Sequence, residues 1–176
     1  MRHFSFLIVT VICSLFALDI LANNLSNNGS VGGHEYVDLA LPSGTLWASC
    51  NLAAKTGNEP GLFYAWGETK SKEQNKYTRD LYKYYKAETF FHQIKQIRYK
   101  ITKYNDNNSY GVCDKKKELD PIDDAATTMW GDYWCMPTED QFRELVHECQ
   151  WNIINENGKW LYKVVGKNQN YTRWRN

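Results

Sequence analysis

The sequence predicts a mixed α+β domain of short antiparallel strands with one or two helices. Three observations support this class. Alternating apolar segments are separated by turn residues, a helix-capping signature begins at Thr138, and a strand–turn–strand pattern follows it. With 176 residues, 43% of them hydrophobic, the chain is long enough to form one domain around its own core.

The first elements are two strands joined by a turn. Residues 35–41 alternate between apolar and polar side chains, and residues 45–50 form a second run of strand-favouring composition. The intervening Pro42-Ser43-Gly44 is typical of a turn, so the two runs predict a β-hairpin. After a second turn, the aromatic residues 62–66 predict another short strand.

The middle of the chain is less regular. Residues 70–86 are charged and rich in tyrosine, which predicts an exposed segment. Residues 87–101 place four large apolar side chains at helical spacing and therefore predict a helix. These side chains are Phe91, Ile94, Ile97 and Ile101.

The last elements are a helix and a terminal hairpin. Thr138 is followed three residues later by Gln141, which predicts a capping box at a helix start. The apolar side chains of this helix recur on one stripe: Phe142, Leu145, Val146 and Cys149. Residues 151–154 and 159–165, separated by the turn Asn155–Gly158, predict the hairpin.

The N-terminus has the pattern of a secretion signal. A short basic head precedes the apolar run 4–18, and a small residue, Ala22, stands at a suitable cleavage position. The pattern predicts a signal peptide over 1–22, a flexible lead-in over 23–33 and the α+β domain over 34–176. An uncleaved N-terminal anchor is the alternative, although the apolar run is shorter than the roughly 20 residues that span a bilayer as a helix. The predicted location is outside the cytoplasm: secreted, periplasmic or at the cell surface, with no stable membrane span after cleavage.

The charge and the aromatic content of the chain indicate which classes of binding partner to expect. The chain has 21 Lys and Arg against 20 Asp and Glu, a net charge of +1, so it lacks the field of a dedicated nucleic-acid binder. Its seven Trp and twelve Tyr suit a core, a sugar-binding surface or a protein interface. Nucleic acid is therefore not an expected partner, whereas a glycan or a protein is.

Four cysteines remain after the predicted leader: Cys50, Cys113, Cys135 and Cys149. In an exported protein an even number predicts two disulfides, and four cysteines allow three pairings. Zinc is the rival interpretation, but the sequence has no Cys-x-x-Cys pair and no histidine at ligand spacing. Disulfides or buried thiols are therefore preferred over a metal site.

The sequence predicts a non-enzymatic protein. It has no Gly-x-Ser-x-Gly nucleophile elbow, no His-Glu-x-x-His zinc motif and no phosphate-binding glycine-rich loop. A cysteine hydrolase would need a free, activated thiolate, and oxidation outside the cytoplasm disfavours one.

The acidic stretch 120–126 is the candidate metal site. Asp123 and Asp124 offer carboxylate oxygens of the kind that Ca²⁺ prefers. The alternative is that one of them caps a short helix through Ala125 and Ala126. The regular ligand spacing of a calcium loop is missing, which favours the cap.

Two aromatic motifs are candidate ligand-binding residues. Trp66 and Glu68 flank one glycine, and Trp130 and Trp134 flank another glycine and an acid. Flat rings beside carboxylates can stack on sugar C–H faces and accept hydrogen bonds from hydroxyls. The alternative is a packed corner, in which glycine lets the backbone approach closely.

These motifs, in this order, resemble the Fibrobacter major paralogous domain (FISUMP) family, which is abundant in exported proteins of gut bacteria. The resemblance covers roughly residues 35–167. It rests on Glu35–Leu39, Leu41–Ala48, Cys50-Asn51, Tyr64–Thr69, Tyr104-Asn105, Asp123–Ala126, Trp130-Gly131, Trp134 and Met136–Thr138 before Phe142 and Leu145. It implies a C-type-lectin-like fold, similar to that of formylglycine-generating enzymes, and a binding or display scaffold.

Two departures from the family pattern have consequences. The family has Arg at the position of Cys135, and Cys113 is also unusual, which suggests a Cys113–Cys135 bridge and leaves Cys50–Cys149 as the second pair. Family members also continue past the strand near Val164 into a glycine- and aromatic-rich half. The chain is therefore expected to be a C-terminally truncated member without much of the family's ligand-facing surface.

The resulting expectation is an exported binding or display module for a glycan or protein ligand. The first alternative is a truncated paralogue without independent activity. The second is an enzyme of formylglycine-generating type, which is disfavoured because the catalytic cysteines of that class lie in the late region that is missing here.

Overall fold

The computed structural model describes residues 11–12, 28–73, 76–92 and 94–175. Within these residues the chain forms short strands and two α-helices, so the mixed α+β class is confirmed. The strands are β1 (Val11–Ile12), β2 (Gly29–Val31), β3 (His34–Asp38), β4 (Leu46–Ala48), β5 (Tyr85–His92), β6 (Ile94–Ile101), β7 (Trp134–Cys135), β8 (Gln150–Glu156), β9 (Lys159–Val165) and β10 (Tyr171–Arg175). The helices are α1 (Ala125–Trp130) and α2 (Glu139–Glu148).

The predicted first hairpin lies in a five-stranded sheet of order β2-β3-β4-β1-β7. Strands β3 and β4 pair antiparallel, with Val37 opposite Trp47, which confirms the hairpin. Both of these side chains are buried. Strand β2 pairs with β3 from Gly29 to Val31, so the prediction of a flexible lead-in over 23–33 is wrong for these three residues. Their alternation is too short to be recognised without the partner strand.

Most of the predicted leader, residues 1–10 and 13–22, lies outside the described residues. Its two described residues form β1, which pairs antiparallel with β4 on one side and β7 on the other. This segment is therefore part of the sheet in the full chain, a role that the signal-peptide pattern does not predict.

The predicted terminal hairpin is confirmed and has a third strand. Strands β8 and β9 pair over their full length, and β10 adds to the other edge of β9. The two-residue turn between β8 and β9 is Asn157-Gly158, with φ of 52° and 78°. Positive φ at both positions is the geometry that joins strands with the normal right-handed twist. Strand β10, Tyr171–Arg175, was not predicted.

Residues 85–92 and 94–101 form two paired antiparallel strands, so the predicted helix over 87–101 is wrong. Strands β5 and β6 pair in continuous register, with Ala87 opposite Tyr99. Tyr85 stacks on Tyr99 across the two strands, with ring centroids 5.0 Å apart and planes 2° apart. The sequence of this segment has a helical spacing, but Ile97, Tyr99 and Ile101 also follow the strand period of two, and the aromatic and β-branched composition favours the strand.

Helix α2 begins as predicted. The Thr138 hydroxyl accepts from the Gln141 amide, and the Gln141 side chain accepts from the Thr138 amide, which is a complete capping box. Leu145 and Cys149 are buried, but Phe142 and Val146 are exposed, so the buried stripe is narrower than predicted. The predicted strand over 62–66 is wrong, because this segment runs as an irregular loop and pairs with no strand in the described part of the chain.

The buried side chains form two clusters. The first joins β3, β4, α2, β9 and β10 and consists of Val37, Leu39, Leu41, Trp47, Leu145, Cys149, Val164 and Trp174. The second lies around α1 and β7 and consists of Ala48, Leu52, Tyr64, Ala125, Ala126, Trp130 and Trp134. Adjacent residues of β4, Trp47 and Ala48, point into different clusters because successive side chains of a strand face opposite sides.

Candidate functional site

A small cavity lies where the loop 64–68 passes the start of α1. It is lined by Tyr64, Ala65, Trp66, Gly67, Glu68, Leu119, Ala125 and Met136. Two of the predicted ligand-binding residues, Trp66 and Glu68, therefore lie in the wall of one cavity. Trp66 is half-buried, so part of this residue is accessible to solvent.

The loop adopts its path because Gly67 has no side chain. Its φ is +77°, and a Cβ atom there would lie 2.9 Å from ring carbons of both Tyr84 and Tyr104. Any other residue would have to displace these two rings. Glycine at this position thus brings the backbone against a tyrosine pair and orients the residues on either side of it.

Glu68 is a buried carboxylate in the cavity wall, only 5% exposed. It forms an ion pair with Lys72 at 2.5 Å and accepts a hydrogen bond from the Lys83 backbone amide at 2.7 Å. Tyr82 donates its hydroxyl proton to the Trp66 carbonyl at 2.8 Å, and burial, together with the nearby Glu68, raises the pKa of this phenol. The acid is therefore stabilised by a cation and an amide rather than left unpaired.

Asp123 lies at the centre of a lysine–tyrosine cluster next to the cavity. Its carboxylate accepts from Lys83 at 2.6 Å, from Lys103, and from the Tyr104 hydroxyl at 2.9 Å. Burial raises the pKa of Asp123, but the hydrogen bonds from the two lysines and the neighbouring tyrosines outweigh it, and the pKa is lowered. Lys103 also pairs with Asp120 at 2.5 Å.

The adjacent Asp124 has a different environment. One oxygen accepts from the amides of Ala126 and Thr127 at the start of α1, and the other accepts from the Met136 amide at 2.7 Å. This confirms the predicted helix cap and assigns it to Asp124. The same side chain also attaches β7 to α1.

The candidate Ca²⁺ ligands are thus already engaged, Asp123 by cations and Asp124 by amides. Among the described residues, no group of three or more His, Cys, Asp and Glu side chains is arranged to hold a metal ion. The geometry favours the cap interpretation of this stretch, and calcium binding stays a prediction without a supporting contact.

Trp130 and Trp134 form a packed corner rather than an open surface. Trp134 is fully buried and donates its indole N–H to the Val31 carbonyl at 3.1 Å, while Trp130 is 8% exposed. Trp130 stacks on His34 with ring centroids 4.1 Å apart and planes 18° apart. Burial lowers the pKa of His34, so this ring favours the neutral form against Trp130. These two tryptophans match the packing alternative.

The two predicted disulfides are not formed in the structure, where Cys50, Cys113 and Cys149 have free thiols. Cys50 donates to the Ala54 carbonyl at 3.3 Å in the loop after β4. Cys149 belongs to the first core cluster, and Cys135 packs against that cluster. Burial and nearby Glu148 raise the pKa of Cys149 to about 11. The pairings Cys50–Cys149 and Cys113–Cys135 stay predictions.

The sequence analysis missed the lysines and tyrosines that surround Asp123. A signal was available, because Tyr82-Lys83-Tyr84 and Lys103-Tyr104 both alternate cations with phenols. The sequence analysis predicts residues 70–86 to be exposed and assigns no role to Lys103, since nothing in either local pattern identifies a buried acid 20 or 40 residues away.

No protein-family model, no curated protein sequence and no solved structure matches this chain. In the ranges that the structure describes, no helix is both long and apolar enough to cross a bilayer.

Proposed function

We propose that this protein is an exported, non-enzymatic binding module whose cavity at residues 64–68 contacts a glycan or protein ligand. The proposal includes membership of the FISUMP family and a C-type-lectin-like arrangement of the mixed α+β domain. The observation that supports it best is that the half-buried Trp66 and the buried Glu68 both line one cavity.

The chemistry of this wall suits a polyhydroxylated ligand. An indole face accepts the C–H face of a sugar ring, and a carboxylate accepts hydrogen bonds from two neighbouring hydroxyls. Glu68 is already oriented by Lys72 and the Lys83 amide, so little ordering is required when a ligand binds.

Binding to a glycan array provides the test, with Trp66→Ala as the site variant. Trp160→Ala is the matched control, because Trp160 is 66% exposed on the terminal hairpin. We expect the wild-type protein and Trp160→Ala to bind the same glycans, and Trp66→Ala to lose the signal while still unfolding cooperatively above the assay temperature. If both variants bind equally, or if only Trp160→Ala loses glycan binding, the ligand does not bind at the cavity.

The alternative of a paralogue without independent activity has its own supporting observation. Ile153 and Trp160 lie diagonally on one face of the β8–β9 hairpin, and both are 66% exposed. Large apolar side chains left in water favour association over a stable monomer. A cooperative melt with fixed near-ultraviolet aromatic signals supports the binding module, whereas aggregation or a featureless spectrum supports the alternative.

A further inference from the structure

Strand β1 occupies an internal position in the five-stranded sheet. Val11 lies opposite Trp47 of β4 on one side and opposite Cys135 of β7 on the other, and Ile12 lies opposite Trp134. In the strand order β2-β3-β4-β1-β7, β1 is the only strand that pairs with β7 among the residues described. Removing β1 would therefore leave a gap of one strand's width between β4 and β7.

The β4 wall of this gap is stabilised without β1. Strand β4 pairs with β3 along its other edge. From the side of β10, Thr172 and Trp174 donate side-chain hydrogen bonds to the Ala48 carbonyl at 3.1 Å and 3.3 Å. None of these contacts involves residues 11–12.

The β7 wall is stabilised by helix α1. Thr127 donates its hydroxyl proton to the Trp134 carbonyl at 2.8 Å, and Asp124 accepts from the Met136 amide at 2.7 Å. The Trp134 amide also donates to the Gly131 carbonyl at 3.0 Å. Because each wall has its own support, the gap is expected to persist when the strand between the walls is removed.

The chemistry of the gap specifies its occupant. Unpaired strand edges on both sides require an extended segment that supplies backbone donors and acceptors in both directions. Trp47 lies opposite Val11 and Trp134 lies opposite Ile12, and both tryptophans are fully buried. An occupant with apolar, β-branched residues such as Val11 and Ile12 fits this environment, and a charged one does not.

We propose that the space between β4 and β7 is a strand-acceptor slot. Val11–Ile12 occupies it in the full chain, and a chain processed after Ala22 offers it to an extended apolar strand of another polypeptide. The inference does not depend on the ligand cavity at residues 64–68. It makes the predicted leader a removable plug as well as a targeting segment.

The test uses the full chain with a protease site in place of residues 23–27, cut after folding. Hydrogen–deuterium exchange is measured for residues 46–48 and 134–135 before cutting, after cutting, and after separation of the leader fragment. Residues 161–165 of β9 serve as the internal reference. We expect the fragment to stay bound after the cut, and its removal to speed exchange of the slot amides by about tenfold while β9 is unchanged.

Peptide add-back then tests the chemistry of the slot. The probe is a synthetic peptide of residues 8–16 with Cys13→Ser and terminal lysines for solubility, and its control has Val11→Asp and Ile12→Asp. We expect the probe to restore protection and the control to leave exchange fast. The proposal is overturned if slot protection survives loss of the leader, if β9 loses protection as well, or if the two peptides behave alike.

Discussion

Residues 66–68 and 130–134 have similar sequence motifs, but their tryptophans differ in burial. Both place tryptophan beside glycine and an acid, yet Trp130 and Trp134 are core residues, whereas Trp66 is half-buried in a cavity wall. Two adjacent aspartates next to these regions also differ: Asp124 accepts from amides in the packed corner, and Asp123 accepts from lysines near the cavity. Composition identified both regions as aromatic–acidic motifs, and only the tertiary contacts distinguish packing from an accessible surface.

The largest effect is expected for Trp134→Ala in the packed corner. The ring is fully buried, and its loss removes the hydrogen bond to Val31 and the edge-on contact with Trp130. We expect a loss of about 3–5 kcal/mol in the free energy of unfolding, measured by denaturant titration. A loss no greater than that of Trp66→Ala would remove the distinction between the two regions.

Asp124→Ala tests the acid of the same corner. It leaves the amides of Ala126, Thr127 and Met136 without their acceptor, in a buried setting. We expect a loss of about 2–3 kcal/mol in the free energy of unfolding. The matched control, Asp132→Ala on the exposed side of the corner, should change it by no more than about 0.5 kcal/mol.

Asp123→Asn tests the acid near the cavity and has a specific pH signature. The folded-state pKa of Asp123 is lowered from its ordinary value of 3.8, so its stabilising contribution is complete above that pH and is lost as the pH falls through the folded value. We expect the variant to lose about 1–2 kcal/mol at pH 7, with the difference from the wild type shrinking below about pH 4. Urea titrations at pH 7, 4 and 2.5 measure it. A difference that stays constant with pH would show that the charge of Asp123 does not stabilise the fold.

The smallest effects are expected for the accessible tryptophans. Trp66→Ala should lower the free energy of unfolding by about 1–2 kcal/mol, because its ring is only half-buried, and Trp160→Ala by no more than about 0.5 kcal/mol. Thermal melts of the two variants, measured in parallel, show which variant is less stable. If Trp66→Ala unfolds as readily as Trp134→Ala, Trp66 is a core residue and the cavity loses its proposed role.

The elements that the sequence predicted correctly are those specified by neighbouring residues. The Thr138 capping box and the Asn157-Gly158 turn each depend on a few adjacent side chains, and both formed as expected. The failures lie where two periods coincide or where the partner is distant. Residues 87–101 have a helical spacing in the sequence, although residues 87–92 and 94–101 pair as strands, and β2 is recognisable only beside β3.

The candidate site was predictable in part for the same reason. The tryptophan and acid motifs were found from local composition, and the cap through Ala125 and Ala126 was anticipated. The pairing of Asp123 with Lys83 joins residues 40 positions apart in sequence, and the difference in burial between Trp66 and Trp134 also depends on the tertiary structure. Patterns of neighbouring residues in the sequence carry no information about contacts between distant residues.

The docking of β10 on β4 constrains the order in which this protein acquires its structure. Thr172 and Trp174 bind the Ala48 carbonyl across 124 and 126 residues of sequence. The core around Trp47 and Trp174 cannot close before the final strand has been synthesised, and contacts of such long separation form slowly. A nascent chain therefore cannot complete this core until translation has passed Trp174, so the half-formed β4 edge stays uncovered up to that point.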